Sequence, residues 1–145
     1  MNIYNNMIPK RYLSGLSFRD KTKQKRNILK ARKNYRTKKN SKKYIPRPKL
    51  KSFKSKKSSW TQKFHKLYPG KKTLKEIAKA VGIPRKALLA VKKKGMGAYY
   101  SSGSRPNQTA ESWGLARMYS YILGGPTRKI DNHITIKYGV RFKHK

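Results

Sequence analysis

The sequence predicts a mainly α-helical protein: a small helical domain with a helix-turn-helix-like centre, a long basic N-terminal arm, and a short C-terminal strand or hairpin. Three observations lead there. Apolar residues recur at helical spacing from Trp60 to Leu123, in runs punctuated by glycine and proline. Within Thr73–Gly95 two such runs meet at Gly82, which suits a sharp turn with positive φ. Positive charge is concentrated outside the apolar part: residues 1–70 hold 23 Lys and Arg against one acid, whereas 95–126 hold only Arg105, Arg117 and Glu111. A low-charge stretch is the one that can be buried. The expected organisation is a basic arm over 1–57, a compact helical domain over 58–135 and a basic tail over 136–145.

Along the arm, Ser17 is placed as an N-cap, with Asp20 three residues on as its capping-box partner. A cationic helix then runs from about 18 to 35. Its apolar positions, Phe18, Ile28, Leu29, Ala31 and Tyr35, are too sparse for a full core stripe, so its expected role is contact with a nucleic-acid backbone. Ile28 and Leu29 give too little apolar support for a membrane-surface helix. Residues 36–57 read as a linker, either a solvated tail or an arm ordered on its partner.

Ser59 is the expected cap of a second helix, with Gln62 in the capping-box position. Trp60, Phe64, Leu67 and Tyr68 form its apolar stripe, His65 lies off it, and Pro69-Gly70 ends it. Next come Leu74, Ile77, Ala78, Val81, Ile83, Leu88 and Val91, with Pro84 suited to the first turn of the second helix of the pair. Residues 95–109, with Gly95, Gly97, Gly103 and Pro106, read as a tight loop. Thr109 caps the last helix, with Glu111 in its first turn and Trp113, Ala116, Ile122 and Leu123 as its inner face; Gly124-Gly125-Pro126 stops it. The alternation of Ile134, Ile136 and Tyr138 suggests the C-terminal strand or hairpin, marginal on its own.

Forty Lys and Arg against four acids give a net charge of +36, which points to an anionic partner, nucleic acid foremost. With no cysteine there is neither a disulfide framework nor a thiolate metal site. The N-terminal residues lack the apolar core of a signal peptide and no run is apolar enough to span a bilayer, so an intracellular or virus-factory setting is expected.

Three segments carry a family resemblance: IPKRYLSGLSFRDKTKQKRNILKARKNY, RPKLKSFKSKKSS and GMGAYYSSGSRPNQTAESWGLARMYSYILGG. They resemble successive blocks of an uncharacterised family of giant nucleocytoplasmic DNA viruses, with shorter relatives of the second half in some large tailed phages. The most specific block is GAYYSSGSRPNQT…SWGLAR. The resemblance implies a viral setting, a large double-stranded DNA genome to be transcribed, condensed and packaged, and supplies no activity.

The candidate nucleic-acid contacts fall in three groups. Arg85 and Lys86, with Leu89 and Ala90, would face the groove in a helix-turn-helix, Arg85 pairing with guanine or a phosphate, and Lys92, Lys93 and Lys94 would meet phosphates. The plainer reading of that pair is a helical hairpin serving only as core. The 95–109 loop offers a phosphate nest with Arg105 beside it and Tyr99 and Tyr100 as stacking surfaces, against the plainer reading of a turn whose tyrosines cover the core. On the arm helix the candidates are Lys21, Lys25, Arg26, Arg32 and Lys33.

No catalytic spacing is met, no Walker lysine motif is present, and no cofactor or metal is expected. Asp131 and His133 supply two ligands where a metal needs three or more. A tyrosine nucleophile among Tyr99 and Tyr100, with Arg105, Arg117 and His133, is the sole enzymatic alternative. The expected function is non-enzymatic binding of viral nucleic acid through phosphates, double-stranded DNA being favoured over RNA, in the virion, host nucleus or factory. The alternatives are a minor capsid or cement protein threading between capsid proteins, and a binder of structured RNA.

Overall fold

The computed structural model describes residues 7–37, 45–53 and 57–145. Among them the chain is mainly helical and contains no strand. A 3-10 turn at Lys10–Tyr12 is followed by α1 (Phe18–Thr37), α2 (Ser59–Leu67), α3 (Leu74–Val81), α4 (Arg85–Ser101), α5 (Ala110–Leu123), α6 (Thr127–Ile130) and α7 (Asn132–Tyr138). They fall into two compact units, Met1–Lys56 with Gly97–Ala110, and Lys57–Met96 with Glu111–Lys145.

The second unit is built on an apolar core to which α2, α3, α4, α5 and α7 contribute. Phe64 of α2 stacks on Tyr119 of α5 with ring centroids 4.3 Å apart. Ile77, Val81, Ile83, Leu88 and Val91 are all buried, as their spacing predicted. The α3–α4 connection follows the local chemistry closely. Thr73 Oγ1 accepts from the Glu76 backbone N–H at 3.2 Å, and Gly82 ends α3 in the left-handed region at φ +70°. Pro84 precedes α4, and its carbonyl accepts from the Leu88 N–H at 3.2 Å. In α2 the cap is Ser58, one residue before the expected Ser59, and Leu67 of the predicted stripe is 56% exposed.

Three expectations are corrected here. The 95–109 segment is not all loop: α4 runs through Gly95 and Gly97 to Ser101. Glycine reads as a helix breaker, but at Gly95 the neighbour requires it. A Cβ there would stand 2.7 Å from Gly114 Cα, and one on Gly114 2.6 Å from the Lys92 carbonyl oxygen. Two glycines therefore let α4 and α5 cross almost backbone to backbone.

Next, α5 buries Gly114, Met118, Tyr119, Tyr121 and Ile122, while Trp113, Ala116 and Leu123 are half-buried.

The C-terminal strand is also absent, because Ile134 and Tyr138 are four apart and share a face of α7, leaving Ile136 73% exposed. Gly139, at φ +58°, closes that helix.

Residues 140–145 pack within this unit rather than trailing from it. Val140 is buried, the Arg128 guanidinium lies 3.7 Å from the Phe142 ring centroid, and Tyr68 Oη is 2.6 Å from His144 Nε2. The carboxylate of the Asp131-Asn132-His133 run is fully engaged by one arginine. Arg117 Nε donates to Asp131 Oδ2 at 2.8 Å and Nη2 to Oδ1 at 2.7 Å, with Asp131 completely buried and His133 exposed.

Candidate nucleic-acid interface

The first unit is centred on α1, and polar contacts tie its segments together around a small buried apolar set, Tyr12, Leu16, Ile28, Ala31, Leu50 and Tyr99. Ser17 Oγ accepts from the Asp20 N–H at 3.2 Å, as the capping pattern predicted. The Asp20 carboxylate does not complete the box on its own helix. It accepts from the Ser52 N–H at 3.0 Å and Ser52 Oγ–H at 2.5 Å, while Ser17 N–H donates to Ser52 Oγ at 3.0 Å. One serine from the presumed linker is thereby built into the helix start.

These hydrogen bonds, the Ser52 hydroxyl first and its amide second, hold the Asp20 carboxyl below its ordinary value of 3.8. A depressed carboxyl stabilises the fold fully above its unfolded value and loses that contribution as pH falls through the lowered one. Acidification below 3.8 is therefore expected to free Ser52. An NMR titration should show its amide shifting there while the Leu88 amide stays fixed.

The inner face of α1 is fastened by side chains that reach backbone carbonyls far along the chain. Gln24 Nε2 donates to Ser104 O at 3.2 Å, Asn27 Nδ2 to Pro46 O at 2.9 Å, and Arg32 to Ser102 O at 2.9 Å and Met7 O at 3.0 Å. Arg47, also from the presumed linker, is buried. Its Nη1 donates to Asn27 Oδ1 at 2.6 Å, its Nη2 to Tyr99 O, and its guanidinium covers the Tyr99 ring at 4.7 Å. Burial pushes the Arg47 and Arg32 pKa values below the ordinary arginine value. Asn107, in the left-handed region at φ +57°, clamps 50–53: its Oδ1 accepts from Leu50 N–H at 2.8 Å, and its Nδ2 donates to the carbonyls of Leu50 and Phe53. Residues 45–53 are thus packed; 38–44 and 54–56 of the expected linker lie outside the described residues.

This architecture sorts the predicted site residues. Lys21, Lys25, Arg26 and Lys33 of α1 are exposed, as are Arg85, Lys86, Lys93 and Lys94 of α4, and Arg105. Arg32 is half-buried and engaged by the fold. Lys92 is half-buried, 3.6 Å from Glu111. Tyr99 is 3% exposed, its hydroxyl donating to Gln108 O at 3.0 Å, and burial raises its pKa above the ordinary value. The expected stacking surface at Tyr99 is therefore inside the fold. Half-buried Tyr100 meets it edge-on, with centroids 4.9 Å apart. The G-x-G part of the expected nest is helical. The SGSRPNQT turn acts as a clamp: Ser104 and Pro106 are buried and Asn107 holds 50–53.

Three residues missed by sequence reading, Arg19, Lys23 and Lys30, lie beside two that it found, Arg26 and Lys33. All five are exposed and spaced 4, 3, 4 and 3 residues apart, which places them along one outward stripe of α1. Gln24, Ile28 and Ala31 occupy the opposite, buried side. The spacing was present in the sequence, hidden by the density of other lysines.

Residues 9–135, from just before the 3-10 turn into α7, match a family of unknown function, DUF5824. The chain belongs to that family. The DUF5824 segment contains the cationic stripe of α1, the Ser52 and Asn107 junctions, the Gly95–Gly114 crossing and the Arg117–Asp131 pair. No curated protein and no solved structure matches the chain. Among the described residues, no three His, Cys, Asp or Glu side chains come together as a metal site, and no helix is long and apolar enough to cross a membrane.

Proposed function

We propose that this DUF5824 protein is a non-enzymatic nucleic-acid-binding protein that grips the phosphate backbone mainly through the outer face of α1, with double-stranded DNA the favoured partner. The observation that carries this is the exposed stripe Arg19–Lys23–Arg26–Lys30–Lys33 together with the places of the four carboxylates. Asp20 is held by Ser52, Glu76 sits at the start of α3, Glu111 is beside Lys92, and Asp131 is enclosed by Arg117. Asp20 offsets part of the charge of Arg19 and Lys23, which leaves the five-cation stripe strongly positive. A 20-residue helix is about 30 Å long, enough to follow several phosphates.

The α3–α4 pair supports a second, helix-turn-helix-like contact. Its three-residue connection turns at a left-handed glycine, and exposed Arg85, Lys86 and Lys93 fall within about 100° of one another around α4. The resemblance to proteins of giant DNA viruses supports a place with the viral genome, in the virion or the factory.

Five phosphate contacts release condensed counterions, so log K for duplex DNA should fall with log salt at a slope of about −4 to −5 or steeper. Fluorescence anisotropy between about 50 and 200 mM salt measures this; an affinity flat over that range would sink the reading. Opened virions supply a further test, since sedimentation with the shell instead of the genome would favour the capsid-threading alternative.

A further inference from the structure

Phe18, the first residue of α1, is 87% exposed although the first unit buries Tyr12, Leu16, Ile28, Ala31, Leu50 and Tyr99. Isolated exposed apolar side chains are ordinary on protein surfaces. Here the surroundings are not ordinary. Phe18 lines a shallow, open surface groove with Arg19, Thr22, Lys23 and Arg26, all five on α1. Thr22 Oγ1–H is turned back to the Phe18 carbonyl at 3.2 Å, which leaves the ring and three cations as the groove's recognition groups. The nearest acid in sequence, Asp20, is hydrogen-bonded by Ser52 and offsets only part of the charge of Arg19 and Lys23, so the face keeps a net positive charge. A flat apolar face ringed by positive charge complements a partner that is both anionic and planar.

We infer that the N-terminal end of α1 is a site for unpaired nucleotides, with a base stacked on Phe18 and the flanking phosphates on Arg19, Lys23 and Arg26. This rests on the nucleic-acid reading above and narrows it. In a duplex the base faces are covered by their neighbours, so an aromatic ring gains a partner only at a strand end, a gap or a single strand. The cationic stripe then serves either nucleic acid, whereas the ring discriminates between them.

The test compares a 20-nucleotide oligothymidylate with a 20-base-pair duplex on the full chain, in wild type, Phe18→Ala and Phe18→Trp. The ring covers none of the core, so both variants keep the fold, and circular dichroism verifies this. Stacking predicts that Phe18→Ala weakens oligothymidylate binding about five- to a hundredfold and duplex binding less than twofold, and that Phe18→Trp restores the single-strand affinity. Unchanged single-strand affinity in Phe18→Ala overturns the inference while leaving phosphate binding intact. Equal losses on both nucleic acids also overturn it, because the ring would then support the helix rather than read a base. Loss of binding to phosphatidylserine vesicles, with oligothymidylate unaffected, would assign the groove to a lipid surface. Wild type binding neither nucleic acid at low salt would remove both this site and the broader reading.

Discussion

Replacing Arg117 with alanine is expected to cost about 3–5 kcal/mol of folding stability. The guanidinium supplies both hydrogen bonds to a carboxylate whose side chain is 1% exposed, and its removal leaves that charge buried without a counter-ion. Single domains are stable by only about 5–15 kcal/mol in total, so the variant should unfold at much lower urea concentration or fail to accumulate. The asymmetry of buried pairs gives a companion result. Arg117→Met combined with Asp131→Asn removes both charges together and should recover a large part of the loss. Urea unfolding followed by circular dichroism reads both. A cost under about 1 kcal/mol for Arg117→Ala would mean that solvent reaches the carboxylate and the pair is not the anchor of α5 to α7.

The second large effect concerns binding. Changing Arg19, Lys23, Arg26, Lys30 and Lys33 together to glutamine removes five exposed cations and no packing. Duplex affinity at moderate salt should fall about 10²- to 10³-fold, and the log–log salt slope should become shallower by about four. Folding stability should hold or rise slightly, because a chain at +36 is relieved of self-repulsion. The matched control takes five exposed lysines from the second unit, Lys66, Lys71, Lys72, Lys75 and Lys79, to glutamine. If the control loses as much affinity, net charge binds the DNA and the α1 stripe has no special part.

The second unit was the more legible in sequence, and the reason is physical. Its cohesion comes from apolar side chains at helical spacing, and its turns carry local signatures, Thr73 capping α3 and Gly82 ending it. Burial follows periodicity there. Where it was misread, a tertiary requirement overrode a local preference. Gly95 and Gly97 look like a break, yet Gly95 allows α4 to meet Gly114; the alternation at 134–138 looks like a strand, yet the same residues sit at i and i+4 on α7.

In the first unit α1 and its Ser17 cap were legible, but the ties that hold the rest to it were not, because they are single polar contacts across long sequence separations. Gln24 to Ser104, Arg47 to Tyr99 and Asn107 to Leu50 follow no period. The resemblance block GAYYSSGSRPNQT…SWGLAR acquires a structural meaning in that light. Asn107 clamps one turn, Gly114 permits one helix crossing and Arg117 neutralises one buried acid. For the candidate site, composition pointed to an anionic partner but could not separate cations that build the fold, such as Arg32, Arg47, Arg117 and Arg128, from those that face outward.

On the proposed function, duplex DNA lies along the outer face of α1. Lysine acylation of the full chain, with and without duplex and read residue by residue by mass spectrometry, tests it directly. The predicted result is severalfold protection of Lys23, Lys30 and Lys33, with Lys66, Lys75 and Lys79 labelled as before. Uniform protection of every lysine, or protection of Lys93 and Lys94 with the α1 lysines still reactive, would contradict it.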